Sequence, residues 1–439
     1  MDAPRPVLRR RAVAAIVLGN ALEFYDFTVY VFFAVSIGHA FFPAKNPTDS
    51  LLASLALFGL GYVMRPVGGL VIGSFADRAG RKPAMLLTIL LMAIGMLMLA
   101  AAPGYDVLGG WAQVIVIIGR LIQGFALGGD VGPATAYLLE SAPPHRRAFV
   151  TSWQIASQGC AALFSGLAAS LLAHLFGDAA MGMWGWRVMF ALGLVIVPVG
   201  FVIRARLPET VSGQDETTEI SPLLRTGRDV VMRLLRDHGR TLFLTFLVIA
   251  ASTVSNAIGT NMPVYARATL GMTETVSAAV PIALGVASIV FPLLGGWLAD
   301  RYGRRPVMIW PRAVILCLAV PVFAALAHAP TAAAIYAVTF LMSALSSINA
   351  AAIITGIPES LPRAVRSTGL AIVYALAVSI FGGSTNYIVN KLIVATGDTL
   401  APAYYLAAFG LIGTVAAWLL PETRGRPVAA LDSGQTRQA

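Results

Sequence analysis

The chain has 439 residues, of which 57% are hydrophobic and only 12% are charged, with a formal net charge of +10. An ordinary soluble domain has about 25% charged residues, so this composition excludes a water-soluble globular protein. The mean hydropathy is +0.77, and apolar runs of about 20 residues, long enough to cross a bilayer, recur along the chain. We therefore predict an all-α membrane protein in contact with the lipid bilayer.

Twelve apolar segments, α1 to α12 in chain order, are bounded by charged or Gly/Pro-rich breaks and predict twelve transmembrane helices. They cover residues 13–38, 51–75, 83–101, 112–139, 148–175, 187–204, 241–265, 276–299, 307–327, 332–357, 367–393 and 401–420. The predicted α1 follows three arginines, as a signal peptide does, but it carries Glu23 and Asp26 in its middle and lacks a cleavage site. We therefore interpret it as a retained helix.

Positive charge is distributed unevenly between the two sides of the predicted membrane. Of the 31 Lys and Arg residues, 24 lie in the N-terminal tail, the even-to-odd connections, the 205–240 segment and the C-terminal tail, whereas four lie at or near the opposite ends and three within spans. The positive-inside rule then places both termini in the cytoplasm. This orientation explains the net charge without a nucleic-acid partner.

Residue types that support catalysis or metal binding are sparse. The two cysteines, Cys160 and Cys317, lie far apart inside apolar runs, which excludes a disulfide framework or a CxxC metal site. The five histidines fall in connections or near helix ends, and no HExxH or GxSxG motif occurs. The sequence therefore predicts no metal, no cofactor and no enzymatic activity.

Three motifs occur twice, in the same order. Gly-x-x-x-Asp-Arg-x-Gly-Arg-Lys/Arg-Pro follows α2 at 73–83 and α8 at 296–306, an offset of 300 − 77 = 223 between the aspartates. Glu-Ser-x-Pro recurs at an offset of 359 − 140 = 219, and Leu-Pro-Glu-Thr at 422 − 209 = 213. The repeat predicts two six-helix halves, residues 1–205 and 241–439, joined by a cytoplasmic linker at 206–240.

The first of these repeated motifs resembles the cytoplasmic signature of the major facilitator superfamily, whose fold has two parallel six-helix halves with a substrate site between them. Its acidic residues can pair with arginines and helix N-termini and so latch one conformation. The alternative is a mere positive-inside anchor. The predicted latch residues are Asp77, Arg78, Arg81, Asp300, Arg301 and Arg304.

Three acidic residues, Glu23, Asp26 and Asp130, lie well inside predicted spans. A charge in mid-bilayer costs about 2.5 to 3.5 kcal/mol even on the mild insertion scale, so such residues are functional candidates. We predict that all three couple transport to protons, although a gating or packing role is equally open for Asp130. On α1, Asn20 and Tyr30 share the side of Glu23 and Asp26, which predicts a stripe facing a cavity.

A second polar stripe follows α4, where Arg120 and Gln123 share one side with Gln113 and Asp130. Arg120 is predicted to lie near the midplane and to bind substrate, with a purely structural ion pair to Glu23 or Asp26 as the alternative. Arg65 is open between substrate binding and structural pairing. Arg312 is expected near the cytoplasmic surface, where it can snorkel.

Uncharged polar residues at helical spacing supply further candidates for substrate binding, although many such residues form ordinary interhelical hydrogen bonds. The richest group is on α5, where an aromatic ring and several donors fall within one and a half turns. The candidates are Trp153, Gln154, Ser157 and Gln158 on α5, with Asn256, Asn349 and Tyr374 in the second half. Thr260 and Asn386 are further polar residues at helical spacing, without an assigned role.

Longer motifs point to one branch of the superfamily. Residues 19–27 read GNALEFYDF, residues 64–68 read MRPVG and residues 119–129 read GRLIQGFALGG. Together they resemble the metabolite:proton symporter family, and Thr151 to Gln158 with the 381–398 stretch most resemble its citrate and tricarballylate branch. One departure is Asp130, where that family usually has Glu.

The resemblance implies a bacterial inner-membrane symporter that imports a small organic acid with protons, working as a monomer. Deep arginines suit an anion, and carboxylates in a dry site can have a pKa raised toward neutrality. A tricarboxylate such as citrate or tricarballylate is the predicted substrate, with a dicarboxylate, an aromatic acid or a zwitterionic osmolyte such as betaine or proline as alternatives. A uniporter, an exchanger or a membrane sensor of the same fold remains a rival interpretation.

Overall fold

The computed structural model describes residues 20–21, 24–79, 81–128, 138, 142–205, 227–360 and 373–424. Each of the twelve predicted spans coincides with helix in this part of the chain, and none of its residues forms a strand. The single helices are Pro47–Ala79 (α2), Arg81–Ala101 (α3), Gly110–Gly128 (α4), Arg147–Ala180 (α5), Trp186–Ala205 (α6), Gly227–Val264 (α7), Glu274–Tyr302 (α8), Arg304–His328 (α9), Ala332–Glu359 (α10) and Ala401–Leu419 (α12).

Two helices are interrupted. α1 consists of Phe24–Phe32 and Ala34–Phe41, which meet at an angle of 72°. α11 is α-helical over residues 373–377, contains the π-helical turn Val378–Gly382 and continues as Gly383–Thr396. Irregular backbone of this kind is tolerated in a membrane only where protein or a cavity surrounds it, and both breaks lie close to the contact between the two halves of the molecule.

Eight helical stretches of the described chain are long and apolar enough to cross a membrane, or nine if the bent α1 counts as one span. The number is below twelve for three reasons. α5 and α6 form one continuous stretch, Arg147–Val195, the apolar part of α3 is limited to Leu86–Ala101, and α11 is broken. The Arg147–Val195 stretch bends at Gly177, near the end of α5, where a φ of 79° strongly favours glycine, and the π-helical turn Met181–Gly185 connects α5 to α6.

The two six-helix halves meet along two seams. In the α5–α8 seam, a Cβ at Gly285 would lie 2.4 Å from the backbone nitrogen of Leu163. In the α2–α11 seam, a Cβ at Gly383 would lie 2.9 Å from the carbonyl oxygen of Gly59. Small residues let helix backbones approach closely where lipid offers no hydrophobic driving force. The halves are therefore in direct backbone contact through the middle of the molecule.

Polar contacts join the halves at both ends as well. At the predicted cytoplasmic end, Asp300 accepts hydrogen bonds from the backbone of Ala148 and Phe149 at the start of α5. At the opposite end, Asp178 accepts from the backbone of Thr275 at 2.9 Å, and Arg267 donates to Ser36 at 2.9 Å. The conformation is thus closed around its centre at these contacts.

Candidate functional site

A buried ion pair joins α1 to α4 in the N-terminal half. Arg120 Nη1 lies 3.1 Å from Asp26 Oδ2, and both side chains have 0% relative exposure. Gln123 bonds to both members of this pair. Its Nε2 donates to Asp26 Oδ1 at 2.7 Å, and its Oε1 accepts from Arg120 Nη1 at 2.8 Å. Both carboxylate oxygens of Asp26 are thus engaged, whereas Nε and Nη2 of Arg120 lack a hydrogen-bond partner among the described residues.

Aromatic rings surround the guanidinium of Arg120. Its Cζ lies 4.5 Å from the centroid of Phe27, 4.3 Å from that of Tyr30 and 5.4 Å from that of Phe58. The Tyr30 hydroxyl itself donates to the carbonyl of Ser54 at 3.1 Å. Ring faces stabilise a cation that has lost its water, and this dry, low-dielectric setting makes any change of charge on Asp26 or Arg120 energetically large.

A second arginine shares the Phe27 ring. The Cζ of Arg65 lies 4.6 Å from the Phe27 centroid and 3.7 Å from that of Tyr62, with 8% relative exposure. Its Nε and Nη2 have no hydrogen-bond partner in the described chain. Tyr374, from the C-terminal half, is partly buried against a hydrophobic cluster formed mainly by that half. The structure thus brings together Asp26, Tyr30, Arg65, Arg120 and Gln123 of the predicted site.

The α5 candidates divide between two sides of the helix. Asn20 on α1 donates to Ser157 Oγ at 2.6 Å and to the carbonyl of Gln154 at 3.1 Å, so this part of the predicted site connects α1 to α5. Trp153 is 38% exposed and follows the same stripe as Phe164, which is 45% exposed. Trp153 is therefore on the outward side, away from Arg120, and Gln158 is only partly buried.

In the C-terminal half, Asn349 is engaged by the protein itself. Arg312 Nη2 donates to Asn349 Oδ1 at 2.7 Å, and Asn349 Nδ2 donates to the carbonyl of Met308. The expectation that Arg312 snorkels is wrong, because this α9 side chain is only 2% exposed and points toward Val248 of α7, Asn349 of α10 and Gly413 of α12. Asn256 is exposed on α7 and is not brought to the arginine cluster by any described contact.

The predicted latch forms a charged network in its second copy. Asp300 bonds to the N-terminus of α5 and pairs with Arg304 at 3.1 Å, and Arg304 Nε also lies 3.0 Å from Glu359 Oε2. Arg147 of α5 lies 3.9 Å from the same Glu359. Arg301 instead points outward, with its Cζ 5.4 Å from the Trp297 ring.

Glu422 anchors this network from the segment after α12. Burial by itself raises the pKa of the Glu422 carboxyl, but backbone N–H groups of Arg304, Arg305, Thr423 and Arg424 donate to it and bring the pKa below its ordinary value. Two of these donors belong to the first turn of α9. The charged carboxylate therefore satisfies the open N-terminus of that helix.

Some predicted residues cannot be placed. Glu23 and Asp130 lie outside the described residues, as do the side chains of Asp77, Arg78 and Arg81. Among the described residues, no group of three or more His, Cys, Asp or Glu could hold a metal ion. The sequence analysis missed the rings of Phe27 and Tyr62. Tyr62 precedes Arg65 by three residues, and this helical spacing is the signal that could have found it.

Comparison with known proteins agrees with this architecture. The xylose transporter XylE from E. coli, in a partially occluded inward-open conformation, superposes with a TM-score of 0.73 at 18% identity over 95% of this chain and 99% of its own. The fold therefore defines a multi-pass membrane protein of the twelve-helix major facilitator class. A model described as "Sugar (and other) transporter" matches residues 12–433, and the chain belongs to this family of the major facilitator superfamily.

Relatives within the family have different substrates. The chain is 34% identical over 405 residues to a citrate-proton symporter of Klebsiella pneumoniae, covering 92% of this chain and 90% of the relative. It is also 32% identical over 437 residues to an ectoine/proline transporter of Corynebacterium glutamicum, covering 95% and 85%. The predicted fold class and the resemblance to this transporter family are confirmed, whereas the relatives leave the choice between an anionic and a zwitterionic substrate to the site.

Proposed function

We propose that the protein is a proton-coupled symporter that imports a small organic anion by alternating access, with a tricarboxylate such as citrate as its substrate. The observation that carries this proposal is the pair of buried guanidinium groups, Arg65 and Arg120, whose Cζ atoms lie 4.6 and 4.5 Å from the centroid of the Phe27 ring. Each has two nitrogen atoms without a hydrogen-bond partner in the described chain. Planar guanidinium groups bind carboxylates bidentately, with two parallel hydrogen bonds.

Charge balance favours an anion over a zwitterion. Asp26 neutralises Arg120 in the described structure, at 3.1 Å, so Arg65 gives the cluster of these three residues one net positive charge. A zwitterion brings a quaternary or secondary ammonium group that this positive charge repels. A substrate with two or more carboxylates satisfies both arginines instead, in line with the citrate-proton symporters among the relatives.

Proton coupling follows from competition for one guanidinium. Ionised Asp26 binds Arg120 through the ion pair, and Gln123 donates a hydrogen bond to the same carboxylate. When a proton binds to a carboxylate oxygen of Asp26, the attraction for Arg120 weakens, and a substrate carboxylate can take that place. Protonation and anion binding therefore favour each other, which is the reciprocal coupling that symport needs.

The remaining predicted residues take supporting roles in this proposal. Glu23 and Asp130 add proton-accepting groups, and Gln154, Ser157 and Tyr374 shape the cavity wall. The Asp300 network closes the predicted cytoplasmic end in one half-cycle. We place the protein in a bacterial inner membrane as a monomer with both termini in the cytoplasm, in keeping with its bacterial relatives.

The test is uptake of radiolabelled citrate by proteoliposomes with and without an inward proton gradient. We expect accumulation only with the gradient, acidification of the lumen during uptake, and competition by tricarballylate but not by glycine betaine or proline. Accumulation of betaine without binding of any tricarboxylate contradicts the substrate assignment. Gradient-independent equilibration of citrate contradicts the coupling.

A further inference from the structure

A buried amide in the C-terminal half has no hydrogen-bond partner among the described residues. Asn386 on α11 is 1% exposed, and neither its Oδ1 nor its Nδ2 has a hydrogen-bond partner in the described chain. The next amide on this side, Asn390, is satisfied, since it donates to Asn261 at 3.0 Å and to the Asn386 carbonyl at 2.7 Å. Unpaired buried polar groups are rare in folded proteins and call for an explanation.

Asn386 lies beside the seam that separates the two halves. Gly383, three residues earlier on the same side of α11, packs against Gly59 of α2, where an added Cβ would lie 2.9 Å from the Gly59 carbonyl oxygen. Gly382, four residues before Asn386 on the same side of α11, packs against Tyr62, where an added Cβ would lie 2.6 Å from Cε1 of the ring. The centroid of that ring lies 3.7 Å from the Cζ of Arg65. The side of α11 that carries the unpaired amide therefore borders the arginine cluster.

The amide offers a donor and an acceptor side by side. A carboxylate only accepts hydrogen bonds and so leaves Oδ1 unsatisfied. An α-hydroxycarboxylate matches both atoms, because its hydroxyl donates to Oδ1 while the adjacent carboxylate oxygen accepts from Nδ2. A protonated carboxyl group is the competing match, since it also presents a donor beside an acceptor.

We propose that Asn386 is a specificity-determining residue that binds the hydroxyl and neighbouring carboxylate of an α-hydroxycarboxylate substrate. This inference rests on the proposed function and narrows its substrate class. The arginines of the N-terminal half bind the other carboxylates, and the amide of the C-terminal half distinguishes hydroxylated from non-hydroxylated acids.

Citrate and tricarballylate differ by the central hydroxyl and form the matched probe pair. Binding of each to the purified protein is measured by calorimetry for the wild type, Asn386→Ala, Asn386→Leu and the control Ser384→Ala. Ser384 lies on the same helix, and its hydroxyl is bonded to the carbonyl of Ile380 in its own helix. Asn386→Leu keeps the four-atom side chain branched at Cγ and so covers the case in which the alanine variant leaves a destabilising cavity.

We expect the wild type to bind citrate about tenfold more tightly than tricarballylate, because a site built for a hydroxyl rejects the analogue that lacks it. Either Asn386 variant should lose this preference through weaker citrate binding, while tricarballylate affinity and the control stay unchanged. Retained tricarballylate binding also shows that the variant is folded. If the variants weaken binding of both acids equally, as a protonated carboxyl group bound to Asn386 predicts, the inference alone is overturned. The same holds if the binding of neither acid changes. A wild type that binds neither acid overturns the proposed function as well.

Discussion

The guanidinium of Arg120 has two possible partners in the proposed transport cycle, the Asp26 carboxylate and a carboxylate of the substrate. At about 4 Å and an effective dielectric constant near 20, each attraction is about 4 kcal/mol. Two partners of similar strength exchange readily when one of them is neutralised by a proton. The role of Asp26 is therefore tested by removing its charge and keeping its shape.

Asp26→Asn preserves an acceptor oxygen for Arg120 but cannot release or bind a proton. We expect this variant to lose gradient-driven accumulation, so that internal citrate only reaches the external concentration, while exchange of labelled for unlabelled citrate continues. Uptake and counterflow in proteoliposomes measure both quantities. Asp398→Asn, which changes a capping carboxylate outside the site, serves as the control. Accumulation equal to that of the wild type contradicts the role of Asp26.

Arg120→Lys retains a positive charge but loses the planar fork that holds a carboxylate bidentately. We expect citrate affinity to fall by about tenfold or more, equivalent to about 1.4 kcal/mol. The matched control is Arg187→Lys, because Arg187 stacks on Trp186 and bonds to the carbonyl of Ala102 far from the cluster. Equal citrate affinity in the two variants and the wild type shows that Arg120 is only structural.

At the scale of elements, the seams between helices determine how the halves move. The α2–α11 seam brings Gly59 and Gly383 into backbone contact, and the α5–α8 seam ends at the Asp300 cap on α5. Because glycines have no side chains, the helices in these seams contact each other through their backbones. Such a contact can separate without pulling interdigitated side chains apart. Opening is then opposed mainly by the polar contacts at the two ends.

Gly383→Ala inserts a methyl group 2.9 Å from the Gly59 carbonyl oxygen and 3.0 Å from its Cα. We expect slower closure and at least about a fivefold lower uptake rate, because overpacking costs about 1 to 3 kcal/mol. Gly410→Ala is the control, since no atom lies within 4 Å of a Cβ at that position. Initial rates of citrate uptake at matched protein content provide the measurement. Equal rates for both variants mean that the seam does not close during transport.

Asp300→Ala removes the carboxylate that caps α5 from the opposite half. Loss of a cap costs about 1 kcal/mol, so the population open at the predicted cytoplasmic end should rise roughly fivefold. The readout is alkylation of a cysteine placed at Ser152, which is buried in the α5–α8 seam, in a background without Cys160 and Cys317. Asp106→Ala, on the exposed short helix Tyr105–Leu108, is the control. An unchanged alkylation rate contradicts the latch.

Helical periodicity was sufficient to predict the polar stripes but not their neighbours. The three-residue spacing of Arg120 and Gln123 predicted a common side of α4. An ion pair of Arg120 with Glu23 or Asp26 was the alternative to substrate binding, and periodicity alone did not select Asp26. Arg312 was misjudged, because depth along α9 does not reveal that Asn349 of α10 lies opposite. Trp153 and Gln154 are adjacent in sequence, and a helix that is apolar all round does not indicate which side faces lipid.

At the scale of the whole molecule, the repeated motifs predicted two six-helix halves. The fold confirms the predicted class, a twelve-helix membrane protein of the major facilitator type. The breaks in α1 and α11 were not predicted. α1 is interrupted at Phe33 and α11 at the turn Val378–Gly382, both within apolar runs whose periodicity gives no signal of a break.

In the described structure, polar atoms of Arg65, Arg120 and Asn386 are buried without hydrogen-bond partners in the described chain. Each unmade hydrogen bond in the interior costs about 1 to 3 kcal/mol, and in the proposed function a bound tricarboxylate removes that cost. We therefore predict that the empty carrier reorients more slowly than the loaded one. Citrate inside the vesicle should then accelerate uptake of citrate from outside, because the return of the empty carrier, rather than the inward step, would limit net flux.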